Sequence, residues 1–422
     1  MTEAAPDPQA APVWARETAF PEAPSGWGWV DPKDARYPCA SFEELAEAIR
    51  SDDNSRVCLV WTPDHSRMVL PEEVPSLHDA VIVSRNRWVK TDLEDYTGKL
   101  RWAGIVFSLL FGWTLLRYLG HFSGKSFALF DQVRFALRET VNDTTIEVGF
   151  LLLIMFVAIP WYQAWKRDRE LAKFAASGLA EATPTMRFEI WLERQNAPFT
   201  RVFLLLIALV GVVQLFPGNA SEAAGLTRNA YFRDHEWWRL LTAPFLHGNP
   251  IHFALNAAAL LYLGKRLEVF ARWPHLPLVF LFSAVMGGLT SVTDYFRETA
   301  AITVVKTASI TSVGASGGLM GWLGFLLVFE TLHSRLVPKS ARRRLAAAVV
   351  LTGVIGIIGH VFIDNAAHAG GLFAGMVYAA IVFPKSSSVY RPQSTLTDRI
   401  AGSVAMAVCI ACALFTVWKI LF

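Results

Sequence analysis

A serine and a histidine, each next to glycines and each inside an apolar run, are the residues best suited to chemistry. Ser316 lies in Gly-Ala-Ser-Gly-Gly, which begins at Gly314, and His368 lies in Ala-His-Ala-Gly-Gly further along the chain. A serine must lose its proton before it attacks a carbonyl, so it needs a base within about 2.6 to 3.2 Å. The two residues together predict a nucleophile and its general base.

Each residue also has a structural interpretation: Ser316 as the N-cap of a helix, and His368 as a core histidine bonded to a carbonyl. The functional interpretation is favoured because a helix N-terminus stabilises oxyanion charge that develops nearby. Small-residue stripes follow both residues, and such stripes let two helices pack closely. The stripes are Gly317-x-x-x-Gly321 and Gly371-x-x-x-Gly375. We therefore expect the two helices to bring hydroxyl and imidazole together.

A polar segment earlier in the chain adds hydrogen-bond donors. Asn249 followed by Pro250 is typical of a helix start, with the asparagine capping and the proline in the first turn. His252 and Asn256 then share one helix face. They could be interfacial groups at a helix end, but an asparagine within a membrane span is costly unless it is paired or functional.

The composition predicts that these segments lie in a membrane. Hydrophobic residues make up 53% of the chain and charged residues 18%. From residue 102 onward, apolar runs recur that are long enough to cross roughly 30 Å of hydrocarbon. They must be helices, because lipid offers no partners for the backbone. Nine spans are predicted, at residues 103–119, 148–164, 200–217, 250–268, 276–293, 315–332, 345–363, 366–384 and 401–421.

Basic residues predict the orientation. They are concentrated at 166–187, 265–272 and 335–344, which should therefore face the cytoplasm. The N-terminus is then cytoplasmic, loops 218–249 and 294–314 lie outside, and the C-terminus emerges outside. We expect a multi-pass protein of the plasma (inner) membrane. The net charge of +3 gives no support for a nucleic-acid partner.

The first hundred residues have a different character. Residues 1–25 are rich in Ala, Pro and acidic groups, which predicts a disordered tail that carries no signal peptide to be cleaved. Ser41 begins a capping-box pattern before a short helix that should end near Arg50. Residues 57–61 and 80–84 are expected to form short strands. This part of the chain is predicted to be a small cytoplasmic α+β module.

The chain resembles the rhomboid family of intramembrane serine proteases at four motifs that occur in the family's order. These are Trp238-Arg239, His247-x-x-x-x-His252-x-x-x-Asn256, Gly314-x-Ser316-Gly317 and Ala367-His368-x-x-Gly371-x-x-x-Gly375. The resemblance covers roughly residues 200–384, the family's six-helix core, and span 401–421 resembles the extra C-terminal helix of some members. Residues 1–199 fall outside it.

The resemblance implies a role for each matched residue. Ser316 would be the nucleophile, and His368 the general base and later acid. His252 and Asn256 would hold the oxyanion together with the Ser316 backbone amide, and His247 would help to order this part of the site. The supporting positions of the motifs are Gly314, Gly317, Gly371, Trp238 and Arg239.

The same resemblance implies a dyad without a metal or cofactor. Asp364 lies almost one turn before His368 and is expected at the end of the span, facing water. The implied partners are the lipid bilayer and single-span membrane protein substrates, which would approach laterally beside span 345–363. Cleavage at bilayer depth also requires a polar cavity open to the outer side.

The expected fold is an all-α polytopic membrane protein. It comprises a six-helix rhomboid core, two extra N-terminal and one extra C-terminal transmembrane helices, and the small N-terminal α+β module. The predicted divisions are a disordered tail 1–25, the cytoplasmic module 26–100, two additional helices with a basic cytoplasmic linker 101–199, the protease core 200–384, and a linker with the last helix 385–422.

The sequence disfavours two other classes of protein and leaves a third as an alternative. A metalloenzyme is disfavoured because His247 and His252 are separated by Pro250 and no HExxH motif is present. A transporter is disfavoured because no charged pairs occur at mid-span and no inverted repeat is visible. A catalytically inactive rhomboid-like protein in membrane-protein binding or trafficking is the remaining alternative. Such relatives usually lack the serine or the histidine, and this chain has both.

Overall fold

The computed structural model describes residues 11–52, 57–122, 128–171, 176–216, 218–294, 311–359 and 363–422. The chain divides into two compact units. One is Glu17–Arg187, and the other combines Met1–Arg16 with Phe188–Phe422. Both are predominantly helical in the part that the structure describes.

The first unit begins with a three-stranded antiparallel sheet. Its central strand, β1 (Trp27–Val30), pairs with β2 (Arg36–Cys39) and β3 (Leu59–Trp61) on either side. The strand expected at 57–61 is confirmed as β3. The other two strands had not been predicted.

Helix α1 (Phe42–Arg50) packs beside this sheet. The Ser41 hydroxyl accepts a hydrogen bond from the Glu44 amide at 3.3 Å, and the Glu44 carboxylate accepts one from the Ala40 amide at 2.6 Å. The predicted cap and the predicted end at Arg50 are therefore confirmed. Leu45 and Ile49 of α1 are buried in the core of the unit.

A helix of 45 residues, α2 (His78–Phe122), follows. Residues 80–84 belong to its first turns, so the strand predicted there is wrong. A short apolar run cannot distinguish a strand from a buried helix turn by periodicity alone. Ala80 and Val81 pack into the same core as α1, and this tertiary contact is compatible with either type of element.

The first unit continues with helices and one π turn. These are α3 (Leu129–Val141), α4 (Thr144–Leu153), the π turn Ile154–Ala158, α5 (Ile159–Leu171) and α6 (Ala176–Glu193), whose last residues belong to the second unit. Helix α3 had not been predicted.

Residues 11–25 differ from the disordered tail expected for 1–25. They contain two short 3-10 turns, Val13–Ala15 and Glu17–Ala19. Trp14, which belongs to the second unit, is 9% exposed, and its indole N–H donates to the carbonyl of Leu336 at 2.8 Å. Burial of this aromatic side chain holds the turn Val13–Ala15 in place. Residues 1–10 lie outside the described residues.

The second unit contains the remaining helices. They are α7 (Pro198–Val213), the short α8 (Ala220–Ala224), α9 (Arg228–Phe232) and α10 (Arg239–Thr242), then α11 (Pro250–Ala271), α12 (His275–Thr293), α13 (Ser316–Leu332), α14 (Lys339–Ile358), α15 (Asn365–Val382) and α16 (Leu396–Leu421).

Five of the described helical segments are long and apolar enough to cross a membrane. They are Pro75–Phe122, Thr145–Glu170, His275–Thr293, Asn365–Val382 and Leu396–Leu421, and the pair Gly178–Glu193 and Pro198–Val213, bent by 65°, would make a sixth. The other predicted spans overlap α11, α13 and α14, which do not meet this criterion of length and composition. The expected all-α polytopic membrane protein with a small α+β module is confirmed, with five or six such spans.

A buried ion pair joins α11 to α13. The Arg266 guanidinium donates to both carboxylate oxygens of Glu330, at 2.5 and 2.8 Å. The two side chains are 0% and 1% exposed. This fork-to-fork geometry fixes the two helices relative to each other, because both charges would otherwise be buried without compensation.

Candidate active site

Ser316 is the first residue of α13 and is half-buried; Ala315 occupies the N-cap position, so the interpretation of Ser316 as the N-cap is wrong. The chain reaches it through Gly314, whose φ of 124° is a conformation that favours glycine. The Gly314 amide donates to the Ala243 carbonyl at 3.0 Å. The backbone before Ser316 is thus fixed by a turn that a larger residue would strain.

His252 and Asn256 lie against this turn. Helix α11 begins as predicted, because the Asn249 side chain accepts a hydrogen bond from the His252 amide at 2.9 Å. A Cβ atom added to Gly314 would lie 2.7 Å from Cε1 of His252 and 3.4 Å from Nδ2 of Asn256. The structure therefore places both predicted oxyanion residues beside the glycine two positions before Ser316.

The Asn256 side chain has a buried amide group as a hydrogen-bond donor. Asn256 is 6% exposed, and its buried Nδ2 makes no hydrogen bond within the described part of the chain. An unpaired buried donor costs about 1–3 kcal/mol. A donor kept free at such a cost, next to the turn that leads to Ser316, is available to bind an oxygen that becomes negatively charged.

His247 packs behind His252. Its ring contacts the rings of His252 and Phe253 edge-on, with centroids 5.3 and 5.2 Å apart. Its backbone amide donates to the Gln214 side chain at 2.9 Å, and its carbonyl accepts from that side chain at 3.0 Å. Burial, with a smaller effect from His252, lowers the pKa of His247 to about 3. A neutral His247 thus forms one wall of the pocket that holds His252.

Helix α15, which carries His368, meets α13 at their glycines. A Cβ atom added to Gly371 would lie 2.0 Å from the carbonyl oxygen of Gly317, and one added to Gly375 would lie 1.9 Å from that of Gly321. Backbone therefore touches backbone along both predicted stripes. Contacts this close are open only to glycine.

Helix α12 closes the same contact from a third side. A Cβ atom added to Gly287 would lie 2.7 Å from the Ala367 carbonyl oxygen and 3.5 Å from the Gly317 Cα. The Thr290 hydroxyl donates to the Ala366 carbonyl at 2.7 Å. The residues that adjoin Ser316 and His368 in the chain are thus brought together by three helices.

Trp238 and Arg239 lie in the loop region before α11, where Trp238 precedes and Arg239 begins the short helix α10. The Arg239 guanidinium donates to the Glu236 carboxylate at 2.6 Å and to the carbonyls of Glu222 and Gly225 at 2.9 and 2.7 Å. Trp238 packs edge-on against Phe415 of α16, with ring centroids 5.5 Å apart. These contacts shape the loop and connect it to the last helix.

Asp364 lies at the start of α15, as expected for a residue at the end of the span, but its carboxylate is hydrogen-bonded to other residues of the protein. One carboxylate oxygen caps α15 by accepting from the Ala367 amide at 3.0 Å. The other accepts hydrogen bonds from the hydroxyls of Ser291 and Ser312, each at 2.5 Å. An aspartate three residues before the capped amide is a helix-start signal, but the two serine contacts are tertiary and leave no trace in the local sequence.

The arrangement is suited to acyl transfer. A hydroxyl at a helix start lies beside a turn, and two side chains with N–H groups face that turn, as an oxyanion site requires. A histidine is carried on the helix that touches the serine helix through glycine. Within the described ranges, no three His, Cys, Asp or Glu side chains are placed to hold a metal ion.

Comparison with known proteins identifies the domain that contains these residues. A family model described as Rhomboid domain matches residues 234–385. The chain is 26% identical over 196 residues to "Rhomboid protease GluP" of Bacillus subtilis, covering 45% of this chain and 36% of that protein. It is 32% identical over 155 residues to "RHOMBOID-like protein 6, mitochondrial" of Arabidopsis thaliana, covering 36% of this chain and 46% of that protein.

A further match is "Inactive RHOMBOID-like protein 8" of Arabidopsis thaliana, 26% identical over 155 residues, covering 36% of this chain and 40% of that protein. The chain thus aligns with about a third to a half of the length of these curated relatives. All of them share the rhomboid name with the matched domain, which contains Ser316, His368, His252 and Asn256. Residues 234–385 are therefore a rhomboid domain.

Proposed function

We propose that this protein is an intramembrane serine endopeptidase that uses Ser316 and His368 as a dyad. The observation that carries the proposal is the backbone contact between α13 and α15, where Gly317 follows Ser316 and Ala367 precedes His368. Two helices that touch beside these residues can supply the short hydroxyl-to-imidazole distance that proton transfer needs.

The reaction begins when His368 takes the Ser316 proton and the hydroxyl oxygen attacks the scissile carbonyl. The carbonyl oxygen becomes negative as the tetrahedral intermediate forms. His368 then gives its proton to the leaving amine, which yields an acyl-enzyme on Ser316. A water molecule, deprotonated by the same histidine, attacks the acyl group and restores the serine.

The oxyanion is held by the side chains that face Gly314. Asn256 donates from Nδ2, which has no hydrogen-bond partner among the described residues, and His252 and the Ser316 backbone amide supply further donors. Each donor of this kind contributes about 2.7–4 kcal/mol of transition-state stabilisation. The helix dipole of α13 adds positive potential at the same point.

The proposed substrates are single-span membrane proteins. The carbonyls of a transmembrane helix are bonded within the helix, so the segment must unwind before Ser316 reaches one. Segments with Gly, Pro or other weak helix formers near the scissile bond are therefore favoured. Such a segment approaches from the lipid beside α14. The enzyme lies in a plasma (inner) membrane with its N-terminus in the cytoplasm, on the side where its loops carry most basic residues.

A cleavage assay in proteoliposomes tests the proposal. The purified full chain is mixed with a single-span test substrate that has a Gly-rich segment near its outer end. We expect Ser316→Ala and His368→Ala each to abolish cleavage while the protein stays folded. Matched controls are Ser403→Ala, at an exposed position of α16, and His121→Ala, at an exposed position of α2, which should cleave normally.

The alternative is an inactive rhomboid-like protein that binds membrane proteins, and the match to an inactive relative gives it a basis. It predicts that the wild-type chain captures single-span proteins without cleaving them. Cleavage that persists in both Ser316→Ala and His368→Ala would instead exclude the dyad.

A further inference from the structure

Asp364 connects the two segments that carry the proposed dyad. Its Oδ2 atom accepts from the Ser312 hydroxyl at 2.5 Å, and its Oδ1 atom accepts from the Ala367 amide at 3.0 Å. Ser312 lies four residues before Ser316, and Asp364 lies four residues before His368. One carboxylate therefore joins the segment that leads into the serine helix to the first turn of the histidine helix.

The Ser312 end of this link is held firmly. The Ser312 amide donates to the Leu226 carbonyl at 2.7 Å, and the Leu226 amide donates to the Ser312 carbonyl at 3.0 Å. Two residues later, Gly314 is bonded to Ala243. The segment cannot slide along its neighbours without breaking these hydrogen bonds. A contact made by the Ser312 side chain therefore also fixes where Ser316 lies.

The Asp364 end is equally fixed. The His368 amide donates to the Asp364 carbonyl at 3.0 Å, which closes the first turn of α15 around the histidine. The Ser291 hydroxyl, near the end of α12, donates to Oδ2 of Asp364 at 2.5 Å. A residue that only capped the helix would need the contact with Ala367 but not the contacts with Ser291 and Ser312.

We infer that Asp364 is a positioning residue that sets the register between Ser316 and His368 through its bond to Ser312. The role rests on the proposed function. The glycine contacts fix how close α13 and α15 are, whereas the Asp364–Ser312 bond fixes how far one is displaced along the other. Catalysis depends on both, because the serine oxygen must meet one nitrogen of the imidazole.

Ser312→Ala is the sharpest test, because it removes the link and leaves the cap on α15 intact. We expect kcat for the test substrate to fall about 10- to 100-fold, with KM within about twofold. The rate at which a fluorophosphonate labels Ser316 should fall by a similar factor, although no substrate helix is involved. Ser312→Thr keeps the hydroxyl and should restore both rates, and Ser403→Ala should change neither.

Asp364→Ser supplies a second variant, because serine can still cap the helix but is too short to reach Ser312 as well. It should reproduce the loss seen in Ser312→Ala, and the double variant should be no worse than the poorer single variant. Thermal unfolding of each variant checks that it is folded at the assay temperature.

Three results would overturn the inference. If Ser312→Ala kept the wild-type kcat and labelling rate, the positioning role would be excluded. It would also be excluded if the fold-losses in kcat of the two single variants multiplied in the double variant. A wild-type chain that neither cleaves the substrate nor labels at Ser316 would refute the proposed function, and this positioning role with it. The first two results, obtained with an active wild type, would leave the proposed function standing.

Discussion

Replacing Gly371 by alanine perturbs the contact on which the proposed dyad depends. The new Cβ atom would lie 2.0 Å from the Gly317 carbonyl oxygen and 2.8 Å from its carbon. Both atoms belong to the backbone of α13, so no side-chain rotation can relieve the clash. Because non-bonded atoms rarely come closer than about 3 Å, α13 and α15 must separate by about 1 Å.

A displacement of this size has unequal effects on activity and stability. Misplacing a reacting group by about 1 Å costs about 100-fold in rate. Overpacking costs about 1–3 kcal/mol of stability, and the better helix propensity of alanine offsets about 1 kcal/mol of that. We therefore expect Gly371→Ala to remain folded and to lose about 99% of its kcat.

The assay compares Gly371→Ala with Gly112→Ala of α2, where an added Cβ atom has no neighbour within 4 Å. Steady-state cleavage in proteoliposomes gives kcat, and thermal unfolding followed by tryptophan fluorescence gives stability. Gly112→Ala should keep the wild-type rate. If Gly371→Ala also kept it, the reasoning that links helix contact to catalysis would be refuted.

Three further outcomes are expected. Asn256→Ala should lower kcat about 100- to 1,000-fold without lowering the unfolding temperature, because its buried amide donor has no acceptor in the part of the chain that the structure describes. A purely structural Asn256 would show the opposite pattern in the same two assays. Arg266→Met should lower the free energy of unfolding by about 3–5 kcal/mol, and adding Glu330→Met should recover most of that loss. Denaturant titration would measure both changes. If the losses in free energy from the two substitutions added up in the double variant, the ion pair would not have the proposed role. Burial holds the pKa of His247 near 3 in the folded protein. As the pH falls below about 6.5, the His247 side chain therefore binds a proton in the unfolded chain but not in the folded one. The free energy of unfolding should then decrease by up to about 1.4 kcal/mol per pH unit down to about pH 4. His247→Phe should show a shallower decrease in thermal unfolding measured across that range, and an unchanged slope would show that other groups cause it.

The sequence predicts the helices well where apolar runs are long. It also predicts the start of α11 at Asn249 and the start of α1 at Ser41, because capping is a local interaction between residues a few positions apart. The glycine stripes of α13 and α15 indicate a close helix contact for the same reason, since the absence of side chains is visible in the sequence itself.

Features that depend on distant partners were not predicted. Residues 80–84 form a helix because they continue into α2, and their short apolar pattern fits either type of element. Trp14 is ordered by its contact with Leu336, far along the chain. Asp364 was expected at the end of the span facing water, and its contacts with Ser291 of α12 and with Ser312 join segments that only the fold brings together.

The central claim is that His368 activates Ser316, and site-mapped labelling tests it most directly. The wild type, His368→Ala and His121→Ala are each exposed to a fluorophosphonate, and the modified residue is identified by mass spectrometry. We expect the label to lie on Ser316 and the labelling rate to fall at least about 100-fold in His368→Ala alone. A label on another residue, or an unchanged rate in His368→Ala, would contradict it.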